Sequence, residues 1–200
     1  MPKSRIKSRA FKLFAAIILL ITGGLYIFLS WTTSVTTNID SYIYDLPFKK
    51  GTSHRVIQGY GGLFSHTHVA AIDFDMPVGA EIFAAREGFV FAYKDDSDEG
   101  GVFPKNKKEA NYLIIKHDDG SFGCYWHLEK NGVIVKSGYV RKGQLIGLSG
   151  ATGFVLSPHL HFSVKKILNY DMNSYERTKF KTTVGEILLQ NWKAYENPSN

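Results

Sequence analysis

The sequence has a single cysteine, Cys124, among its 200 residues. One thiol cannot form an intrachain disulfide, so the fold must be held by a hydrophobic core, a metal or both. Acidic residues are missing from positions 1–12, where Lys3, Arg5, Lys7, Arg9 and Lys12 carry five of the six net positive charges. Residues 13–200 therefore hold a net charge of only about +1. With no basic patch interleaved with aromatics, nothing points to a nucleic-acid partner. Beyond residue 42 no sustained helical period occurs, and the chain shows no internal repeat or low-complexity block. Charge of either sign is absent from Leu13 to Trp31, "LFAAIILLITGGLYIFLSW".

That uncharged run of 19 residues is long enough to cross a hydrocarbon core of roughly 30 Å as one transmembrane helix. A cleavable signal peptide would have a shorter apolar core and a small-x-small site behind it, and "WTTSVTTNI" offers only a weak one. The run is therefore read as a membrane anchor or uncleaved signal. Its basic flank keeps the N-terminus in the cytoplasm. The expected organisation is a cytoplasmic tail at 1–12, the span at 13–31, a tether at 32–41, a folded domain at 42–190 and a tail at 191–200. The domain then lies outside the inner (cytoplasmic) membrane, in the periplasm or cell-wall space.

What the chain has in quantity is short apolar runs cut by glycine and polar turns: "AAIDFDM", "EIFAA", "GFVFAYK", "NYLIIKH", "FGCYWHL", "GVIV", "QLIGLSG", "HLHFSVK" and "TVGEILL". Runs of this length rich in β-branched and aromatic residues predict a mainly β domain with antiparallel pairing. Aromatics make up 14% of the chain, enough for a core and against disorder. Between two of the runs, residues 94–111 form a long polar loop of mixed charge, a stretch suited to walling a binding site. Residues 42–58 read as an edge strand or a segment covering a groove.

The seven histidines are His54, His66, His68, His117, His127, His159 and His161. A lone histidine is ordinarily a surface or core residue, but three groups stand out. "SHTH" places His66 and His68 ahead of Asp73, His127 closes "CYWHL", and "SPHLHFSV" sets His159 and His161 two residues apart. Side chains at i and i+2 of a strand share a face, so the last two imidazoles are aimed at one spot. Imidazole nitrogen and carboxylate oxygen suit zinc, and a catalytic zinc takes three protein ligands and keeps one position open. Spare histidines can then move a proton or steady an oxyanion. Cys124, beside Tyr125 and Trp126, reads as a small buried hydrophobe. His117 reads as structural and His54 as exposed.

"HVAAIDFDMPVGAEIFAAREGFV", "GCYWHL", "VRKGQLIGLSGATG" and "SPHLHFSV", in this order over roughly residues 55–165, resemble the LytM/lysostaphin-type zinc metallopeptidases of family M23. The resemblance implies an antiparallel β-sheet groove with one Zn2+ at its floor. It implies Asp73 and His161 as metal ligands and His127 and His159 as catalytic histidines. The first ligand stays open between His66 and His68. Four residues separate His68 from Asp73 and six separate His66 from it, both longer than the usual family spacing, and a subgroup with a longer insertion after Ser-His favours His66. The implied activity is hydrolysis of peptide bonds in peptidoglycan stem peptides or cross-bridges, with peptidoglycan peptide, the membrane and other envelope proteins as partners. The rival reading is a non-enzymatic cell-wall binding module or an activator of another hydrolase.

Overall fold

The computed structural model describes Phe14 and residues 17–22, 36–62, 64–169 and 171–199. The chain divides into two compact units, Met1–Ser34 and Val35–Asn200. In the first, the described residues are α-helical, and the Thr22 hydroxyl donates back to the Ile18 carbonyl at 2.9 Å. Most of the expected 13–31 span and all of the 1–12 tail lie outside the described residues. Among the described residues no helix is long and apolar enough to cross a membrane.

Among the described residues the second unit contains sixteen short strands. The first eight are Ile39–Asp45 (β1), Ser53–Gln58 (β2), Ala71–Phe74 (β3), Glu81–Phe83 (β4), Gly88–Lys94 (β5), Gly100–Gly101 (β6), Tyr112–Lys116 (β7) and Phe122–Trp126 (β8). Leu128–Val133 (β9), Tyr139–Val140 (β10), Leu145–Ser149 (β11), Gly153–Phe154 (β12), Leu160–Lys165 (β13), Tyr175–Thr182 (β14), Gly185–Ile187 (β15) and Ala194–Glu196 (β16) complete it. The main sheet runs β10-β5-β7-β8-β13-β3-β2-β16, with β14 alongside the end of β13, and β4, β11 and β9 form a smaller antiparallel sheet.

Strict alternation in three central strands separates a core face from a groove face. In β13, Leu160, Phe162 and Val164 are at most 1% exposed and enter the core, while His161, Ser163 and Lys165 point the other way. In β3, Ile72 and Phe74 are fully buried and Asp73 lies between them on the groove side. In β8, Tyr125 goes to the core and Cys124 and Trp126 to the groove. Gly123, on the core side, makes room for a histidine: a Cβ there would meet His117 Nε2 at 2.9 Å.

Antiparallel register then lays these groove residues in rows across the sheet. Tyr112 pairs with Trp126, Trp126 with His161, His161 with Asp73, and Asp73 with Gln58. One step along, Ile114 pairs with Cys124 and Cys124 with Ser163. The first row carries the chemistry, and its members come from five strands spread between residues 58 and 161.

Pairing is mainly antiparallel, as expected; the exceptions are β1, which runs parallel to β14, and β12, which runs parallel to β6. In the first pair, strands from near the two ends of the folded unit meet after a long crossover, for which either direction is accessible. Residues 42–58 form no cover over the groove; they contribute β1 and β2, and β2 is hydrogen-bonded into the main sheet. Residues 191–199 are not a loose tail, because β16 pairs with β2 and the buried Asn197 side chain donates to the Leu46 carbonyl at 3.1 Å.

Candidate active site

Three groups converge where the first row meets the loop after β2. His66 Nε2 lies 3.3 Å from Asp73 Oδ1 and 3.2 Å from His161 Nδ1, and His161 Nδ1 lies 2.9 Å from the same carboxylate oxygen. One ligand atom from each residue falls within 4.8 Å of the others. His159 Nε2 is 3.8 Å from Asp73 Oδ1. The His127 ring stacks obliquely on His159 at 4.7 Å and meets His161 edge-on at 5.7 Å. His68 is exposed and stands outside the three-residue group.

Backbone carbonyls fix the tautomers. His66 Nδ1 faces the Gly59 carbonyl at 3.0 Å, His127 Nδ1 the Thr152 carbonyl at 2.7 Å, and His159 Nδ1 the Ser157 carbonyl at 2.8 Å. A carbonyl only accepts, so each Nδ1 carries a proton, and in the neutral ring the lone pair is then on Nε2. For His66 that lone pair faces a carboxylate oxygen and the His161 nitrogen.

Electron-rich atoms this close repel one another unless a cation lies among them. Asp73 Oδ1 is buried and has no hydrogen-bond partner among the described residues. A buried oxygen left that way costs about 1–3 kcal/mol. Two imidazole nitrogens and one carboxylate oxygen are a donor set that suits zinc, so these residues fit the metal that the family resemblance implies. Burial pushes the Asp73 carboxyl upward, but hydrogen bonds donated by His161 and His66, which a proton at this point in place of a metal would allow, outweigh this and hold it well below the usual carboxylate range. Burial lowers His161, opposed by Asp73. Burial, with His159 and His161 adjacent, holds His127 down at about 3, which keeps that ring neutral as a base must be.

The segments that aim these rings are specific. His127 follows β8 with φ at +67°. That left-handed conformation costs a non-glycine residue roughly 1–2 kcal/mol, and it turns the ring toward His159. Its acceptor is held in turn: Thr152 Oγ1 donates to the Leu128 carbonyl at 2.8 Å and accepts from the buried Asn111 N–H at 3.0 Å. Asn111 also fastens the 94–111 loop, donating to the Ser97 and Leu128 carbonyls.

On the opposite side, Gln58 clamps the His66 loop. Its Nε2 donates to Ser65 Oγ at 2.7 Å and to Asp73 Oδ2 at 3.2 Å, and its Oε1 accepts from Phe64 N at 3.2 Å. Gly62 leaves space for this clamp, since a Cβ there would come within 2.3 Å of Gln58 Cγ.

The site opens into a groove of about 820 Å³, within the range of small-ligand and peptide clefts. Its rim is apolar: Phe64, Leu156 and Trp192 are exposed by 86%, 80% and 67%. Val102 and Lys107, from the 94–111 loop, form part of its wall, and the buried Cys124 is in its floor.

Sequence reasoning missed Gln58, Asn111 and Thr152. A single amide or hydroxyl carries no motif, and the signal available for Gln58 was its place in the strand alternation. His117 is buried, with Nδ1 2.6 Å from the Glu87 carbonyl. His54 is half-buried rather than exposed, because it packs edge-on to Phe48 at 4.7 Å and reaches the Asp75 carbonyl.

A His-Asp-His group with His66 and Asp73 buried, flanked by two further imidazoles in a peptide-sized groove, has the composition of a mononuclear metallohydrolase centre. The chain belongs to peptidase family M23, whose model matches residues 67–175, more than half its length. The match begins one residue after His66, so it is the geometry that distinguishes His66 from His68.

Peptidoglycan DD-endopeptidase ShyB of Vibrio cholerae is 39% identical over 93 residues, which is 46% of this chain and 19% of ShyB. Lysostaphin of Staphylococcus simulans is 33% identical over 132 residues, 64% of this chain and 23% of lysostaphin. The chain thus spans about a fifth to a quarter of the length of these curated relatives. The solved structure of S. simulans lysostaphin overlays with a TM-score of 0.47 and 28% identity, covering 62% of this chain and 46% of that one.

Proposed function

We propose that this chain is a zinc-dependent endopeptidase that hydrolyses peptide bonds in peptidoglycan stem peptides or cross-bridges. The observation that carries the reading is the buried Asp73 Oδ1, which lacks a hydrogen-bond partner among the described residues and faces the nitrogens of His66 and His161. His66, Asp73 and His161 would hold one Zn2+. The printed names of the relatives, peptidoglycan DD-endopeptidase and lysostaphin, support the substrate class, and the apolar rim suits an extended peptide.

When bound, zinc supplies Lewis acidity at the scissile carbonyl. The remaining work belongs to the protein. His159 and His127 each offer an Nε2 lone pair beside the metal group, and either accepts the proton released as water adds to the carbonyl carbon. The ring that has taken this proton becomes a donor for the departing amine as the C–N bond breaks. The products are a carboxylate and an amine. The Thr152 and Ser157 carbonyls keep both rings in the tautomer that makes this possible.

The same proposal places the domain outside the cytoplasmic membrane, tethered by residues 13–31. The uncharged run and the basic residues ahead of it support this orientation. The test is incubation of the full-length chain with purified cross-linked peptidoglycan, followed by mass analysis. Products heavier by one water at a peptide bond, with glycan intact, are expected. A folded, zinc-loaded chain that leaves every peptide bond intact contradicts the reading and favours the activator role.

A further inference from the structure

The loop that carries His66 is fastened from a part of the chain beyond the family match, which ends at residue 175. Gly59, directly after β2, has both backbone groups committed. Its carbonyl accepts from His66 Nδ1 at 3.0 Å, and its N–H donates to Asn191 Oδ1 at 2.5 Å. Only glycine leaves room for this joint, since a Cβ at position 59 would meet Asn191 Oδ1 at 2.7 Å.

Asn191 and Trp192 are the central residues of a tight turn held against β2. The Trp192 N–H donates to the Val56 carbonyl at 2.7 Å, and the Val56 N–H donates to the Lys193 carbonyl at 2.9 Å. From there β16 continues antiparallel to β2, and the Tyr195 hydroxyl accepts from the Gln190 N–H at 3.0 Å. Trp192 takes the left-handed conformation, with φ at +66°, where a bulky residue is an outlier and glycine is at ease. Its indole nevertheless stays exposed and lines the groove, as do Phe64 and Ile57. Little burial offsets the strain at this side chain, and strained backbone of this kind collects at ligand clamps.

We infer that this turn completes the active site from outside the matched region. Asn191 is a positioning residue that holds the His66 loop through Gly59, and Trp192 is a specificity-determining wall against which the bound peptide packs. With Gly59 pinned on both sides, the carbonyl that orients His66 keeps its place, and so does the ring. The indole offers a large rigid face for an extended peptide. The Trp192 assignment deepens the endopeptidase reading and rests on it, whereas the Asn191 assignment rests on the metal group alone.

The experiment uses the full-length chain and measures zinc affinity by competition with a chromophoric chelator. Asn191→Ala removes an acceptor at an exposed turn and should weaken zinc binding about tenfold, the lower end for partners that orient a ligand. Asn191→Asp keeps an acceptor oxygen and should restore the affinity of the unmodified chain. Undiminished affinity in Asn191→Ala overturns the positioning role. Equal loss in both variants overturns it too, because the shape of the turn and not the acceptor would then be at work. Trp192→Gly relieves the left-handed strain and removes the indole. Its urea midpoint should be at or above that of the unmodified chain, while KM for cross-linked muropeptides rises about tenfold with kcat held, the scale of one aromatic anchor. A KM that stays put, or that rises only together with a lower midpoint, overturns the wall. If the unmodified zinc-loaded chain cuts nothing, the endopeptidase reading fails and the zinc series still decides Asn191. Calorimetric binding of the muropeptides then decides Trp192, and an equal Kd for the unmodified chain and Trp192→Gly refutes the wall.

Discussion

His66 and His161 stand 95 positions apart in the chain, yet His66 Nε2 and His161 Nδ1 lie 3.2 Å from each other, both against one oxygen of Asp73. A loop and two antiparallel strands have brought three electron-rich atoms together at a buried point. Such a cluster opposes folding unless a cation or a proton occupies it. Zinc should therefore stabilise the fold by mass action. At a free concentration about 1,000 times its dissociation constant, a ligand that binds only the native state adds about 4 kcal/mol. Differential scanning calorimetry should show Tm rising with added zinc and falling on chelation. An unchanged Tm would mean that the cluster does not bind the metal.

The two histidines of "SHTH" should behave differently. His66→Ala removes one of the three converging ligand atoms and should release zinc, whereas His68→Ala, at an exposed position outside the group, should retain it. Zinc per chain, measured by atomic absorption after dialysis, separates them. Retention in the first variant and loss in the second would reverse the assignment.

His161 and His127 should separate holding the metal from moving the proton. His161→Ala should lose zinc and activity together. His127→Ala should keep zinc and lose turnover by about 10²–10⁴-fold, the usual contribution of a positioned acid or base. Zinc analysis beside a cleavage assay decides the point, and equal metal loss in both variants would place His127 among the ligands.

Gln58→Leu should affect the centre without touching the metal. It removes the donor to Asp73 Oδ2 and both bonds to the His66 loop. Partners that orient ligands are typically worth about 10–100-fold in metal affinity, and a buried acceptor left open costs about 1–3 kcal/mol. Competition with a chromophoric chelator should show the weakened affinity, and urea unfolding the lost stability.

His117 should give the fold a pH dependence of its own. Burial holds its folded pKa below the ordinary histidine value, partly opposed by the Glu87 carbonyl. Below about pH 6.5 the unfolded chain therefore takes up a proton that the folded chain refuses, and stability falls with pH until the folded pKa is reached. The stability difference between the unmodified chain and His117→Gln, by urea unfolding at pH 7.5 and pH 5.5, should shift against the unmodified chain at the lower pH. A difference independent of pH would mean that His117 titrates normally in the fold.

Much of this arrangement was legible in the sequence because strands write their faces into it. "LHFSVK" and "AIDF" alternate apolar core with polar groove, so the shared face of His159 and His161 and the lone carboxylate of Asp73 followed from period two alone. The choice between His66 and His68 did not. Their loop is irregular, and its path depends on Gln58, Gly62 and the Gly59 carbonyl, a set of contacts with no periodicity. The parallel pairing of β1 with β14 and the docking of β16 on β2 were hidden for a related reason. They join segments more than a hundred residues apart, and local pattern gives neither partner nor direction to such pairs. The orienting carbonyls of Thr152 and Ser157 are main-chain atoms, invisible to any reading of side-chain types.

The most direct test is a three-way digestion of purified cross-linked peptidoglycan, with muropeptides resolved by mass, using the zinc-loaded chain, the same chain after chelation and zinc-loaded His127→Ala. Peptide cross-links should be cut in the first sample only, and zinc added back to the second should restore cutting. Cleavage that persists after verified removal of zinc, or a folded zinc-loaded chain that cuts no peptide bond, would contradict the account.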